Sequence, residues 1–288
     1  MGDSINILDE EYINSLQIIE DIHKSEKSTI YKVSKPDGTI LALKVLKESN
    51  IQTIRSFMSQ YEMMAMLHHP NILKVYGIFF GSEKKAPYFL MEYCPTSIEK
   101  EIIHKTLTKV DISFAIYQIS VAMKYIHKKQ ILYRDLKPSN ILIGQDSLIK
   151  ISNFSVSELF SPDNDYDYGV GTMRFMAPEV ISEDSKIDEK SDVYSFGVTL
   201  FYLLNEGNLP HFSVQDFMSG RKAKIPDNFT NLSREIIDLC WNHNPEDRPS
   251  FKDICQKIEK AHFGLFDLNN SEQAQLSEMI NSYKQKFF

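Results

Sequence analysis

At 288 residues, 42% hydrophobic and 25% charged, the chain is long enough to bury a large core, as one big domain or as two smaller lobes. A net charge of −7 argues against nucleic acid as a main partner, because contacts to phosphate need a basic face, and pairs such as Lys128–Lys129 read as solvated surface. No apolar run approaches the roughly 18 to 20 residues that span a bilayer, and the first residues lack the basic-then-apolar pattern of a signal peptide, so the expected location is cytoplasmic. Met1–Gly2 opens like an acylation site, but Asn6 stands where Ser or Thr is wanted and Asp3 is acidic, so no lipid anchor is expected. Three widely spaced cysteines, Cys94, Cys240 and Cys255, fit reduced thiols, and the sequons at Asn153 and Asn228 then carry no meaning.

In chain order, residues 28–34 and 39–46 read as strands around a Pro36-Asp37-Gly38 turn, with Ile40, Ala42, Lys44 and Leu46 on one face at period two. Lys44 is expected to point inward. Residues 51–67 follow as a helix with Ile54, Met58, Tyr61 and Ala65 at helical spacing, and residues 88–92 return as a strand. Beyond Pro95 helices dominate. Asp111 is placed as the cap of a helix carrying Ile112, Ile116, Ile119, Met123 and Ile126, and residues 192–204 are apolar nearly all round, as a core helix must be. Near the end, Asn270-Ser271-Glu272-Gln273 starts a further helix with Leu276, Met279, Ile280 and Tyr283 as its stripe, which either docks on the larger half or recruits a partner helix.

Five motifs lie on this map: Leu41-Ala42-Leu43-Lys44, Tyr133-Arg134-Asp135-Leu136-Lys137-Pro138-Ser139-Asn140, Met176-Ala177-Pro178-Glu179, Ser191-Asp192-Val193-Tyr194-Ser195-Phe196-Gly197 and Asn244-Pro245-Glu246-Asp247-Arg248-Pro249. Their order and spacing resemble the eukaryotic protein kinases. His69-Pro70-Asn71-Ile72 and Cys240-Trp241 resemble the tyrosine kinase-like group within them, and Lys137 with Gly171-Thr172 resembles Ser/Thr specificity. The resemblance implies an α+β, bilobal protein kinase fold, with a small antiparallel-sheet lobe bearing one helix and a larger helical lobe. The implied organisation is an N-terminal extension over residues 1–16, a kinase-like domain over 17–262 with lobes 17–93 and 94–262, and a C-terminal helical extension over 263–288.

Phosphoryl transfer is mostly positioning and charge neutralisation: a cradle for phosphates, a cation on them, a carboxylate-held metal, and a carboxylate to take the hydroxyl proton. By resemblance Asp135 is the proton acceptor, Lys137 steadies the transferred group and Asn140 offers a carbonyl oxygen to metal. The adenine pocket falls on Ile30 and Ala42 as roof, Leu142 as floor, Met91 as gatekeeper and the backbone of Glu92 and Cys94 as hinge, with Lys44 on the phosphates.

Other parts depart from the family. Where kinases place three glycines this chain has His23, Ser25 and Ser28, whose side chains hold the loop off a phosphate that glycine would let the backbone approach. The helix position that pairs with Lys44 is Gln60 in place of Glu, and Glu62 lies about 200° away round the helix. At the metal site Asn153 stands for Asp and Ser155 for the following Gly. Magnesium is usually anchored by one or two carboxylates, and losing one preorganised electrostatic group slows reaction about 10²- to 10³-fold. The expectation is a pseudokinase that binds ATP without needing metal and signals through a protein partner, with magnesium weak or absent. A weakly active Ser/Thr kinase and a scaffold that binds no nucleotide stand as alternatives. Arg134, which in kinases grips a phosphorylated residue, has Asp163, Asp165 and Asp167 as candidate partners in a segment that also reads as a solvated acidic loop holding Ser161, Tyr166 and Tyr168.

Overall fold

A computed structural model describes residues 6–47, 50–82, 85–159, 172–182, 187–211 and 221–288, so Met1–Gly2, Ser161, Asp163, Asp165, Tyr166, Asp167 and Tyr168 lie outside the described residues. The protein is α+β and forms two compact units, Met1–Pro95 with Ile143–Ser155, and Thr96–Leu142 with Val156–Phe288.

The first unit is built on one antiparallel sheet. Helix α1 (Glu10–Asn14) precedes strands β1 (Gln17–Lys24), β2 (Ser28–Ser34) and β3 (Ile40–Leu46), helix α2 (Ile51–Ala65), and strands β4 (Val75–Phe79) and β5 (Tyr88–Glu92). The strand order is β1-β2-β3-β5-β4, so β3 lies at the centre and is buried on both faces, with Leu41 and Leu43 as covered as Ala42 and Leu46. One face carries Val33, Leu41, Leu43, Tyr88, Leu90 and Phe79, and Leu8, Tyr12, Ile13 and Leu16 close over it. Residues 6–16 are thus part of this core. Leu8 N–H donates to Ile78 O (2.8 Å), Ile78 N–H donates to Asn6 O (2.9 Å), and the Tyr88 hydroxyl donates to Asp9 O (2.9 Å). Gly77 makes the seat possible, since a Cβ there would stand 2.7 Å from Leu8 Cγ.

Helix α2 covers the opposite face. Its capping residue, Asn50, accepts from Thr53 N–H, and its buried residues are Phe57, Gln60, Tyr61 and Met64. The expected stripe of Ile54, Met58, Tyr61 and Ala65 is therefore rotated, because the aromatic rings of Phe57 and Tyr61 meet Phe89 (4.8 and 5.9 Å) and carry Gln60 inward with them. Glu62 is exposed, as its angle round the helix requires.

The second unit carries strand β6 (Thr96–Ser97), helices α3 (Ile98–His104) and α4 (Lys109–Lys128), strand β7 (Ile131–Leu132) and strand β8 (Ile141–Ile143), whose last residue crosses into the first unit together with β9 (Ile149–Ile151). Strand β10 (Glu158–Leu159) and helices α5 (Pro178–Ser182), α6 (Glu189–Leu204), α7 (Asn231–Cys240), α8 (Phe251–Lys260) and α9 (Asn270–Phe287) complete it. The cap of α4 is Thr108, three residues before the expected Asp111, and Asp111 instead closes a capping box by accepting from Thr108 N–H. Residues 191–204 of α6 are buried without interruption. Helix α9, capped by Asn269, docks inside this unit: Leu276, Ile280 and Tyr283 are buried, Tyr283 meets Phe114 edge-on at 5.7 Å, and Lys284 reaches Glu259 at 2.8 Å. Among the described residues no helix is long and apolar enough to cross a membrane.

Truncating a buried leucine typically costs 2–5 kcal/mol. Leu8→Ala is expected to lower stability by about 2–4 kcal/mol, read by urea unfolding; a loss under about 0.5 kcal/mol, the usual range for surface substitutions, would mean that residues 6–16 only rest on the sheet.

Candidate functional site

Strand alternation decides which side chains share a face. Ile30 pairs with Lys44, Lys44 with Phe89, and Ala42 with Met91, so Ile30, Ala42, Lys44, Phe89 and Met91 stand on the side of the sheet that α2 covers. Lys44 extends toward that helix and donates from Nζ to Gln60 Oε1 (2.7 Å), with the rings of Phe57 and Phe89 at 5.9 and 5.6 Å. Removal of the ammonium from water, with no carboxylate among the described residues to offset it, lowers the Lys44 pKa from 10.5 to about 8.

The turn where kinases carry glycines is closed on itself. Ser25 N–H donates to Ser28 O (2.9 Å), Ser28 N–H donates to Ser25 Oγ (3.1 Å), and Lys47 Nζ holds Ser25 O (2.6 Å). The amides of Ser25 and Ser28 that would approach a phosphate thus serve the turn, and none of residues 23–28 has the positive φ that glycine would supply.

At the end of β5, Glu92 N–H donates to Lys74 O (2.8 Å), and its carboxylate meets Lys150 (3.1 Å), which also meets Asp146 (3.0 Å). This ties β9 to the hinge candidates. Burial pushes the Cys94 thiol up to about 12, which keeps it protonated and unreactive. Asn71 Nδ2 donates to Ile149 O (2.9 Å) and Ile151 N–H donates to Asn71 O (2.8 Å), fixing the strand that leads to Asn153. Asn153 adopts a left-handed φ of 59°, and its Oδ1 accepts from Ser155 Oγ (3.0 Å) and Gln60 Nε2 (3.5 Å).

Neither residue 153 nor its neighbours Gln60 and Ser155 offers a carboxylate to a divalent cation. Magnesium takes hard oxygen ligands, usually with a carboxylate, whereas residue 153 offers a neutral amide oxygen already holding two donors. Among the described residues no group of three or more His, Cys, Asp or Glu could hold a metal ion.

The second unit brings together the residues expected to handle a hydroxyl proton. Asn140 Nδ2 donates to Asp135 O (2.8 Å) and Asp135 Oδ2 (2.6 Å), Lys137 Nζ meets Asp135 Oδ2 (3.0 Å), and the Thr172 hydroxyl donates to Asp135 Oδ1 (3.1 Å) while accepting from Lys137. Leu142 lies on β8. The loop is held by Asp192, fully buried in α6, which accepts from Tyr133 N–H (2.9 Å) and Arg134 N–H (2.7 Å) and bonds His127 Nε2 (2.9 Å). A carboxylate heading the nearly all-apolar stretch 192–204 was the available sign of that role. Arg134, at a positive φ of 68°, pairs with Glu158 (2.8 Å) on β10. Among the described residues its carboxylate partner is thus Glu158, a surface-looking charge that no pattern singles out.

Keeping the partly exposed Lys44 ammonium away from water costs the folded state about 2 kcal/mol at neutral pH. The sign follows from proton binding: between pH about 8 and 10.5 the folded state binds fewer protons than the unfolded, so stability from this group rises with pH there and is lowest below about 8. Lys44→Met is expected to be more stable than the parent at pH 7 by about 1–2 kcal/mol, the gap closing toward pH 10.5. Urea unfolding of both proteins at two pH values checks this, and a parent as stable as the variant at pH 7 is the contrary result.

The protein kinase domain model matches residues 17–258. The chain is 31% identical over 252 residues to Aurora kinase of Saccharomyces cerevisiae, covering 84% of this chain and 68% of that protein. It is 29% identical to a serine/threonine-protein kinase of Arabidopsis thaliana (76% of this chain, 40% of that one) and 29% identical to the tyrosine-protein kinase transforming protein Abl of Abelson murine leukemia virus (79% and 32%). The match of fold, catalytic-loop residues and family model over most of its length makes this chain a member of the protein kinase family.

Proposed function

We propose that this kinase-fold protein binds ATP without a required metal, transfers phosphate poorly or not at all, and acts as a cytoplasmic signalling or scaffold module through a protein partner. The observation that carries the reading is the partner of Lys44: an amide oxygen of Gln60 at 2.7 Å in place of a carboxylate. A lysine so held keeps its charge available to phosphate oxygens, while the self-closed Ser25–Ser28 turn and the neutral Asn153 remove the groups that orient and neutralise a transferring phosphoryl group. Ile30, Ala42 and Met91 supply an apolar face for a planar base, with the hinge backbone at Glu92 and Cys94 beside it.

A second reading, a weakly active Ser/Thr kinase, is favoured by the cluster of Asp135, Lys137, Asn140 and Thr172. There Asp135 accepts the proton of a substrate hydroxyl and Lys137 offsets charge on the transferred group. His69-Pro70-Asn71-Ile72 and Cys240-Trp241 support placing either activity in the tyrosine kinase-like group, and Lys137 with Thr172 supports the Ser/Thr type.

Radiolabelled γ-phosphate transfer to itself and to a generic Ser/Thr substrate decides between the two. Combined loss of the cradle, the ion-pair partner and a metal ligand is expected to leave the parent at the background of Asp135→Ala, since one such loss already removes about 10²- to 10³-fold. Transfer that Asp135→Ala abolishes establishes the kinase reading instead.

A further inference from the structure

Lysine has three donors and no acceptor, so it dictates which end of an amide may face it. Gln60 must turn Oε1 toward Lys44, as it does at 2.7 Å, because its NH₂ end would set donor against donor. With that end fixed, Nε2 is what Gln60 presents to Asn153, and the atom receiving it at 3.5 Å is Oδ1. Ser155 Oγ occupies a second position on the same oxygen at 3.0 Å. A carbonyl oxygen has two lone pairs, and both now have donors. Asn153 has little freedom to reorient: its backbone is fixed in the left-handed region, and the strand before it is bonded to Asn71 and to Glu92 through Lys150.

We infer that Gln60 sets the ligand preference of this unit: by relaying the polarity of Lys44 to Asn153 it turns the residue-153 oxygen inward, so that the unit takes the phosphate oxygens of a nucleotide directly on Lys44 and excludes a divalent cation at residue 153. The inference rests on the nucleotide-binding reading and goes beyond it by assigning metal independence to one side chain. Lys44, Gln60, Asn153 and Ser155 all belong to the first unit. With Glu at position 60 one of the two donors on Asn153 Oδ1 is lost and Ser155 Oγ alone remains, the negative charge beside Lys44 competes with phosphate, and a cation gains both an oxygen lone pair and a favourable field.

The test is calorimetric titration of ATP into the full chain in EDTA and in excess magnesium, for the parent, Gln60→Glu and Asn153→Asp, with thermal melting to establish that each variant is folded. Asn153→Asp keeps an acceptor for Gln60 and adds a carboxylate, so it remains informative if Gln60→Glu does not fold. The parent is expected to bind equally well or better in EDTA. Gln60→Glu is expected to lose about tenfold or more in EDTA and to regain affinity with magnesium, a factor equal to about 1.4 kcal/mol or more; Asn153→Asp is expected to gain magnesium dependence too. A parent that binds only with magnesium, or folded variants with the parent's ratio of affinities in the two conditions, overturns the relay. A parent that binds ATP in neither condition overturns the nucleotide reading itself.

Discussion

An ammonium group enclosed against α2, with no carboxylate bonded to it among the described residues, is the constraint on which the arrangement around Gln60 and Asn153 depends. Such a charge must find an oxygen, and the one within reach is the amide of Gln60. With Oε1 turned to Lys44, the Nε2 of Gln60 faces Asn153 Oδ1. The same ammonium draws on the rings of Phe57 and Phe89, so the packing of α2 and the state of Lys44 belong to one arrangement. The cost appears as a depressed lysine pKa, a strain on stability that a purely structural core position would not carry.

The two units differ in how far their residues match the motifs of the family. In the second, Asp192 still holds the catalytic loop through two backbone amides, and Asp135 is surrounded by Lys137, Asn140 and Thr172. In the first, the serine-closed turn and the amide pair replace open backbone donors and carboxylates. The departures from the family motifs lie around Lys44 and Asn153, while the cluster around Asp135 keeps the family's residues.

Stability is secured away from these groups. The buried Arg248–Glu179 pair makes two bonds of 2.6 and 2.8 Å, and with further acceptors at Asn242 O and Lys190 O the guanidinium is well satisfied in the interior. Residues at both ends of the chain join their nearest core: Leu8 fills the space over Gly77, and Tyr283 packs on Phe114 and Tyr117. Of these contacts the seat of Leu8 belongs to the first unit, the one that holds Lys44, and the others belong to the second.

The order of elements, the face shared by Ala42 and Lys44, the buried α6 and the stripe of α9 were legible in the sequence, because strand and helix periods act over a few residues and each motif is local. Gln60 as the helix position facing Lys44 was legible too, and the angle round the helix put Glu62 outside. The rotation of α2 was not legible, because it depends on Phe57 and Tyr61 meeting a ring on β5 more than twenty residues later in the chain. Nor was the seat of Leu8, which needs a missing Cβ at Gly77, or the pairing of Arg134 with Glu158. Composition established that Gln60 and Asn153 are uncharged; only the tertiary structure decided which atom each turns to the other, since the orientation of an amide is set by the donor it faces and that donor is distant in sequence.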